Sequence, residues 1–201
     1  MAATQRVTVH MSEDLATRIS STARSYRLAE KTWRRLSLLN ARDSRERKKI
    51  RVEAELRRKT EWPTEDHLVE ACVRGRMAQP DLARDWRPLT EEEKVELSLP
   101  GMWPGSERPG EDFGTPFACT LDYDLVWRAR TAAWRISEPW IEEILRQGLG
   151  NLRGLTEEQR DRRAALGAHV LTFGAIVRQG IADHWPTKEV SQAESRKGSD
   201  Q

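Results

Sequence analysis

Arg6-Val7-Thr8-Val9-His10-Met11-Ser12-Glu13-Asp14-Leu15 is the stretch on which the fold of this chain turns. Val7, Val9 and Met11 alternate with Arg6, Thr8 and His10, and a period of two sends the apolar side chains to one face of a strand and the polar ones to the other. Ser12 stands where a helix N-cap belongs, with Glu13 and Asp14 in the first turn, where negative charge meets the positive end of the helix dipole. Leu15, Ile19, Ala23 and Tyr26 then recur at three- and four-residue steps. Arg27-Leu28-Ala29-Glu30 reads as a short break, after which Trp33, Leu36 and Leu39 line a second helical face. The segment is expected to be a strand, a helix, a turn and a second helix.

This order resembles the ribbon-helix-helix family of DNA-binding proteins. The resemblance rests on Val9, Met11, Ser12-Glu13-Asp14-Leu15, Ile19, Ala23 and Trp33, and covers about the first fifth of the chain. It implies that two chains pair their strands antiparallel and lay the ribbon in the DNA major groove. Arg6, Thr8 and His10 would then face the bases. The start of the second helix, at Ala29, Glu30 and Lys31 with Arg34 and Arg35 beyond, would meet phosphate through backbone N–H groups and side chains. Val7, Val9, Met11, Leu15, Ile19, Trp33 and Leu36 would form the core of a homodimer. The chain departs from the family at the turn, with Arg27 where Gly is usual and Leu28-Ala29 where Ser or Thr is usual. A lone strand has an unpaired edge, so the chain must dimerise or supply a second strand of its own.

Composition agrees with a polyanion partner at one end. Residues 1–60 hold 16 Lys+Arg and 7 Asp+Glu, a net of +9, whereas residues 61–201 hold 18 and 25, a net of −7. With 37% hydrophobic and 33% charged residues, a modest core under a highly charged helical surface is expected. Cys72 and Cys119, the two cysteines, cannot make a disulfide framework. No apolar run has the length of a membrane span, and the first residues lack the apolar core of a signal peptide, so a cytoplasmic protein without membrane partners is expected.

The rest of the chain divides at its breakers. Residues 1–40 form the ribbon-helix-helix-like unit, and residues 41–61 a charged connecting helix. Residues 62–99 carry short helices, opened by Thr64 and by the capping box Thr90-Glu91-Glu92-Glu93. Residues 100–116 are a Pro/Gly-rich loop. Residues 117–185 form a helical domain, and residues 186–201 a polar tail expected to be disordered. The helical domain faintly echoes the opening about 108 residues on: a short strand at Phe117-Ala118-Cys119, a helix to Arg135, then a helix capped by Ser137 with Pro139 in its first turn. Its outward residues, Pro116, Ala118 and Thr120, are poor base readers, and Pro116 cannot donate to a ladder. Two packed helices of a bundle are therefore preferred here to a second copy. Thr156-Glu157-Glu158-Gln159 is another capping box, opening a helix toward His184.

Residue patterns for catalysis are missing. His10, His67, His169 and His184 are not spaced with cysteines or carboxylates as metal ligands. There is no Gly-rich phosphate loop and no nucleophile elbow. No catalytic residue, metal ligand or cofactor is expected, and the chain is not expected to be an enzyme. The sequence points to a mainly α fold: an N-terminal ribbon-helix-helix-like unit joined by a charged helix to a C-terminal helical bundle. The expected function is sequence-specific binding of double-stranded DNA, as a transcriptional regulator or a plasmid or mobile-element maintenance factor. The C-terminal helices are expected to serve dimerisation or a protein partner. The alternative is a helical protein–protein interaction module, antitoxin-like or scaffold-like, without base readout.

Overall fold

The computed structural model describes residues 3–58, 60–98, 103, 104, 106 and 113–186. Most of the Pro/Gly-rich loop and nearly all of the polar tail lie outside the described residues. The chain is mainly helical, with one two-stranded antiparallel sheet. In order it runs β1 (Thr4–Met11), α1 (Glu13–Leu39), α2 (Ser44–Arg58), α3 (Glu65–Met77), α4 (Glu91–Ser98), β2 (Thr115–Asp122), α5 (Tyr123–Arg146), α6 (Glu157–Gly167) and α7 (Phe173–His184).

The opening strand forms as its alternation requires: Val7, Val9 and Met11 are buried, and Arg6, Thr8 and His10 are exposed. Its partner is β2 of the same chain, not the strand of a second copy, with Val7 opposite Cys119, Thr8 opposite Ala118 and His10 opposite Pro116. Pro116 fits because of parity. The N–H groups of Thr120 and Asp122 point away from β1 and donate to Asp66 Oδ1 (3.0 Å) and Glu70 Oε2 (3.2 Å) of α3. Pro116 has the same parity, so its missing N–H removes no bond from the ladder. The far edge of β1 is met by Arg178, whose Nη1 donates to His10 O at 2.8 Å.

Each strand runs through a cap into a long helix. Ser12 accepts from Leu15 N, and Asp122, 110 residues on, accepts from Leu125 N. The same spacing carries Val7, Val9 and Met11 onto Phe117, Cys119 and Leu121, all buried, and Ile19 and Ala23 onto Ala129 and Ala133, also buried. Helices α3 and α7 repeat likewise: Thr64 and Thr172 cap them, and Leu68, Val69, Cys72, Val73 and Met77 match Ile176, Val177, Gly180, Ile181 and Trp185 at a spacing of 108, every one buried. The chain is thus two β-α-α-α units folded around a local two-fold. The axis passes the Thr8–Ala118 pair and the crossing of α3 with α7. There an ideal Cβ on Gly180 would lie 2.8 Å from the carbonyl oxygen of Cys72, so only glycine lets the two helices approach this closely. The echo of the opening is a repeat of strand, cap and helices, within a second half that is helical as expected.

Two expected breaks are absent, and one expected continuous helix is broken. α1 continues through residues 27–30, because Arg27, Leu28, Ala29 and Glu30 are all good helix formers with no Gly or Pro among them. α5 continues through Pro139, and Ser137, instead of capping a helix, is buried with its hydroxyl donating to Leu171 O (2.8 Å) and accepting from Leu171 N (2.7 Å). The expected long helix to His184 is instead α6 and α7, separated where Thr172 caps the second by accepting from Ala175 N. The capping boxes at Thr90–Glu93 and Thr156–Gln159 form as read.

The main core lies between the inner face of the ribbon and helices α1, α3, α5 and α7. A smaller cluster of Ile141, Ile144, Leu149, Leu166 and Val170 joins α5 to α6. Beyond the core, the outer half of α1 and all of α2 form a projecting helical arm. It is braced by Arg58 on Glu30, by Arg57 over the Trp33 ring (4.9 Å) and by Trp33 against Trp62 (5.2 Å).

Candidate nucleic-acid interface

The ribbon presents an open face on the side away from the core. From β1 it carries Arg6, Thr8 and His10, all exposed, and from β2 the exposed Pro116 and Ala118 with the half-buried Thr120. Arg6 stands opposite Thr120 and Thr8 opposite Ala118. A guanidinium, a hydroxyl and an imidazole project side by side from a rigid, fully paired ribbon. Such groups can form bidentate or single hydrogen bonds to base edges. The partner strand contributes small apolar groups and one hydroxyl, so the chemistry of the face is one-sided although its backbone is symmetric.

The second element is the arm. Arg27, Lys31, Arg34 and Arg35 of α1 face Arg47, Arg51 and Arg58 of α2 across a groove of about 800 Å³. Helical spacing explains the alignment: Arg27, Lys31 and Arg34 lie at steps of four and three, as do Arg47 and Arg51 at a step of four. Glu30, the carboxylate of this groove, is 13% exposed and already engaged. Arg58 Nη2 donates to it at 2.7 Å, and Arg34 Nη1 reaches it at 3.4 Å. The hydrogen bond from Arg58, with the charge of Arg34 adding to it, holds the Glu30 carboxyl below its usual range. Glu30 therefore stays ionised as a brace between the two helices. Lys31, Arg35, Arg47 and Arg51 enter no ion pair among the described residues.

The residues expected to form the site are redistributed. Arg6, Thr8 and His10 stand together on the open ribbon face. Ala29, Glu30 and Lys31 do not start a helix but sit inside α1. Their N–H groups belong to the helix ladder and cannot receive a phosphate, so the backbone anchor expected there is withdrawn. The Lys31, Arg34 and Arg35 side chains instead line the arm groove. Of the expected dimer core, Val7, Val9, Met11 and Ile19 are buried in the single-chain core and Leu15 packs against it. Trp33 packs on Trp62, and Leu36 is 57% exposed. These residues therefore stabilise one chain, and the ribbon does not need a second copy. Sequence reasoning places Arg27 at the expected turn and Arg47 and Arg51 in the charged connecting helix, and does not bring them to one site. The signal available was their i,i+4 alignment, which has meaning only once α2 is known to fold back on α1.

A second concavity, about 680 Å³, lies between residues 82–94 and the start of α5. Trp86, Tyr123 and Trp127 line it together with Arg84, Asp85, Lys94, Asp124 and Arg128. Neither histidine nor cysteine lines it, so it holds no nucleophile–base pair of the common kind. No group of acidic, His or Cys side chains among the described residues could hold a metal ion. His67 closes the cap of α3 by accepting from Thr64 N, and His169 stacks on Trp140 with ring centroids 4.0 Å apart. The Cys72 and Cys119 thiols are buried, and burial raises them to about 11 and about 12 respectively, far from the thiolate range a nucleophile needs. Among the described residues, no helix is long and apolar enough to cross a membrane. No protein-family model, curated protein or solved structure matches this chain.

Proposed function

We propose that this protein binds double-stranded DNA and reads sequence with the exposed face of its intrachain ribbon. The observation that carries the reading is the set Arg6, Thr8 and His10, exposed together on a strand whose every apolar neighbour is buried. A free ribbon face with hydrogen-bonding side chains suits the width of the major groove. Because β2 completes the ribbon within the chain, one copy presents the whole reading face. The bases contacted most strongly then lie on the β1 side, and the preferred site is not a palindrome. A role in transcriptional regulation or in maintenance of a mobile element is the cellular setting that this chemistry suits. The test is selection of bound duplexes from a random pool with the purified chain. A short, asymmetric enriched motif is expected. Recovery of a pool no different from the input would overturn the reading.

A second reading has its own observation. Leu28, Leu36 and Leu39 of α1 and Val52 and Leu56 of α2 are large apolar side chains left more than half exposed on the arm. They favour a helical interaction module whose partner is another protein. Sizing of the protein alone and with duplex DNA separates the two readings.

A further inference from the structure

The two halves share a fold but not a charge. Residues 24–58, which hold the outer part of α1 and all of α2, contain 13 Lys+Arg and 5 Asp+Glu, a net of +8. The equivalent residues 134–168 of the second half contain 6 of each, a net of zero. In that twin Arg135 pairs with Glu93 and Glu138 and Arg146 with Glu143, and the two signs balance overall. The first arm keeps a groove whose cations outnumber its carboxylates, with that carboxylate, Glu30, already satisfied. Core packing does not explain this, since Ala54 is the one buried apolar residue of the arm among the described residues. A solubilising surface would alternate its signs. Lys31, Arg35, Arg47 and Arg51, in no ion pair among the described residues and gathered along one groove, make a polyanion-binding arrangement.

We infer that the α1–α2 arm is a backbone clamp for duplex DNA, carried by one half of the fold alone, so that a bound chain covers its site on one side of the ribbon. This rests on the DNA-binding reading above. The occupant is argued from charge and from continuity. Arg27 and Lys31 of the groove also line a second depression that runs along α1 past Arg24 and Ser20 to Thr115, at the end of the ribbon. Hydroxyl and guanidinium groups, with Glu13 and the Arg27-paired Glu65 among them, thus lead from the end of the ribbon to the groove. With 27 residues, α1 is about 40 Å long, which compares with roughly one helical turn of B-DNA. The clamp contacts phosphates, so it adds affinity and salt dependence without adding base preference.

The test uses the full chain carrying Lys31→Gln, Arg35→Gln, Arg47→Gln and Arg51→Gln together. These side chains are exposed, and circular dichroism checks that the fold is kept. A control chain carries Arg153→Gln and Arg160→Gln in the twin half. Binding to the selected duplex is titrated across salt, and the backbone footprint is mapped by hydroxyl-radical cleavage. The arm variant is expected to lose at least about tenfold in affinity, to flatten the salt dependence by roughly three to four in log–log slope, and to lose protection on one flank only. The control is expected to behave as the parent. An arm variant with unchanged affinity, slope and footprint overturns the clamp. Equal binding of duplex RNA, with the same loss in the variant, would also overturn its assignment to DNA. If Arg6→Ala, Thr8→Ala and His10→Ala each leave base preference unchanged while the arm variant still loses affinity, the ribbon reading fails and the clamp stands. The reverse pattern sinks the clamp and keeps the ribbon.

Discussion

Thr8 and Ala118 face each other across the exposed side of the ribbon, and the local two-fold of the fold passes between them. Their parity makes them a non-hydrogen-bonded pair, since Thr120, two residues from Ala118, sends its N–H outward to Asp66. Cα atoms in such pairs lie about 4.5 Å apart, at the near end of the range that a disulfide spans. A chain carrying Thr8→Cys and Ala118→Cys is therefore expected to cross-link to itself on mild oxidation. The native thiols are buried and stay out of the reaction. Non-reducing electrophoresis should give a species of monomer mass that runs faster than the reduced form. Covalent dimers as the main product would mean that the ribbon is built between chains.

Arg6 and Thr8 point outward from the same strand, and each is separable from the fold because neither is buried. Replacing either by Ala is expected to weaken binding to the selected duplex by about 1–3 kcal/mol and to relax base choice at one position. Thermal stability should remain close to that of the parent. Lys31→Gln is expected to weaken all duplexes alike, because a phosphate contact carries no sequence information. Competition with a panel of single-base variants distinguishes these outcomes. Equal ranking of the panel by Arg6→Ala and parent proteins would remove Arg6 from the reading set.

The ribbon was legible because its signal is local. Val7, Val9 and Met11 alternate, Ser12 caps, and no tertiary information is needed to place them. Its partner was harder to read. Phe117, Cys119 and Leu121 alternate equally well, but Pro116 spoke against a ladder. Only the outward parity of its missing N–H, visible once Asp66 and Glu70 are seen to hold the same edge, removes the objection. The interruption expected after Tyr26 failed for the opposite reason. Arg27-Leu28-Ala29-Glu30 reads as a break although Leu28, Ala29 and Glu30 all prefer helix, and local propensity prevailed. One wall of the arm groove, Lys31, Arg34 and Arg35, was legible as basic residues, but the facing wall was not. Arg47 and Arg51 are one face of a charged helix until Arg58 reaches Glu30, 28 residues back, and folds that face against α1.

Gly180 is set against Cys72 where α7 crosses α3. Alanine is the better helix former by about 1 kcal/mol. A methyl group here would meet a backbone carbonyl at 2.8 Å, however, and a carbonyl in a helix cannot swing aside as a side chain can. Gly180→Ala is expected to be destabilising despite the propensity gain, with an overpacking cost of about 1–3 kcal/mol before that gain is subtracted. Gly174→Ala is the control, since the nearest atom is Arg178 Nη1, the end of a flexible side chain, at 3.1 Å. Urea unfolding of both variants checks the difference. A Gly180→Ala protein as stable as Gly174→Ala would mean that the two helices do not meet this closely.

Glu93 ties α4 to α5 and sets an acid limit on that contact. Arg135 Nη1 and Nη2 donate to its two oxygens at 2.7 Å each, and Thr90 N donates to Oε2 at 2.6 Å. The hydrogen bonds from Arg135, followed by that from Thr90, hold the Glu93 carboxyl down at about 2, against an ordinary value of 4.5. The folded chain thus takes up this proton less readily than the unfolded chain. The stabilisation from Glu93 is fully present above about pH 4.5 and disappears as the pH falls through about 2. Glu93→Gln keeps the size of the side chain and removes the charge. Its stability deficit relative to the parent is expected to be constant from pH 7 to about 5, to shrink below that, and to be smallest near pH 2. Glu143, held equally low by Arg146 within a single helix, is unchanged in the variant and cancels in the comparison. Denaturant melts of parent and variant across this range measure the difference directly. A deficit that stays constant down to pH 2 would show that the Glu93 charge does not hold α4 in place.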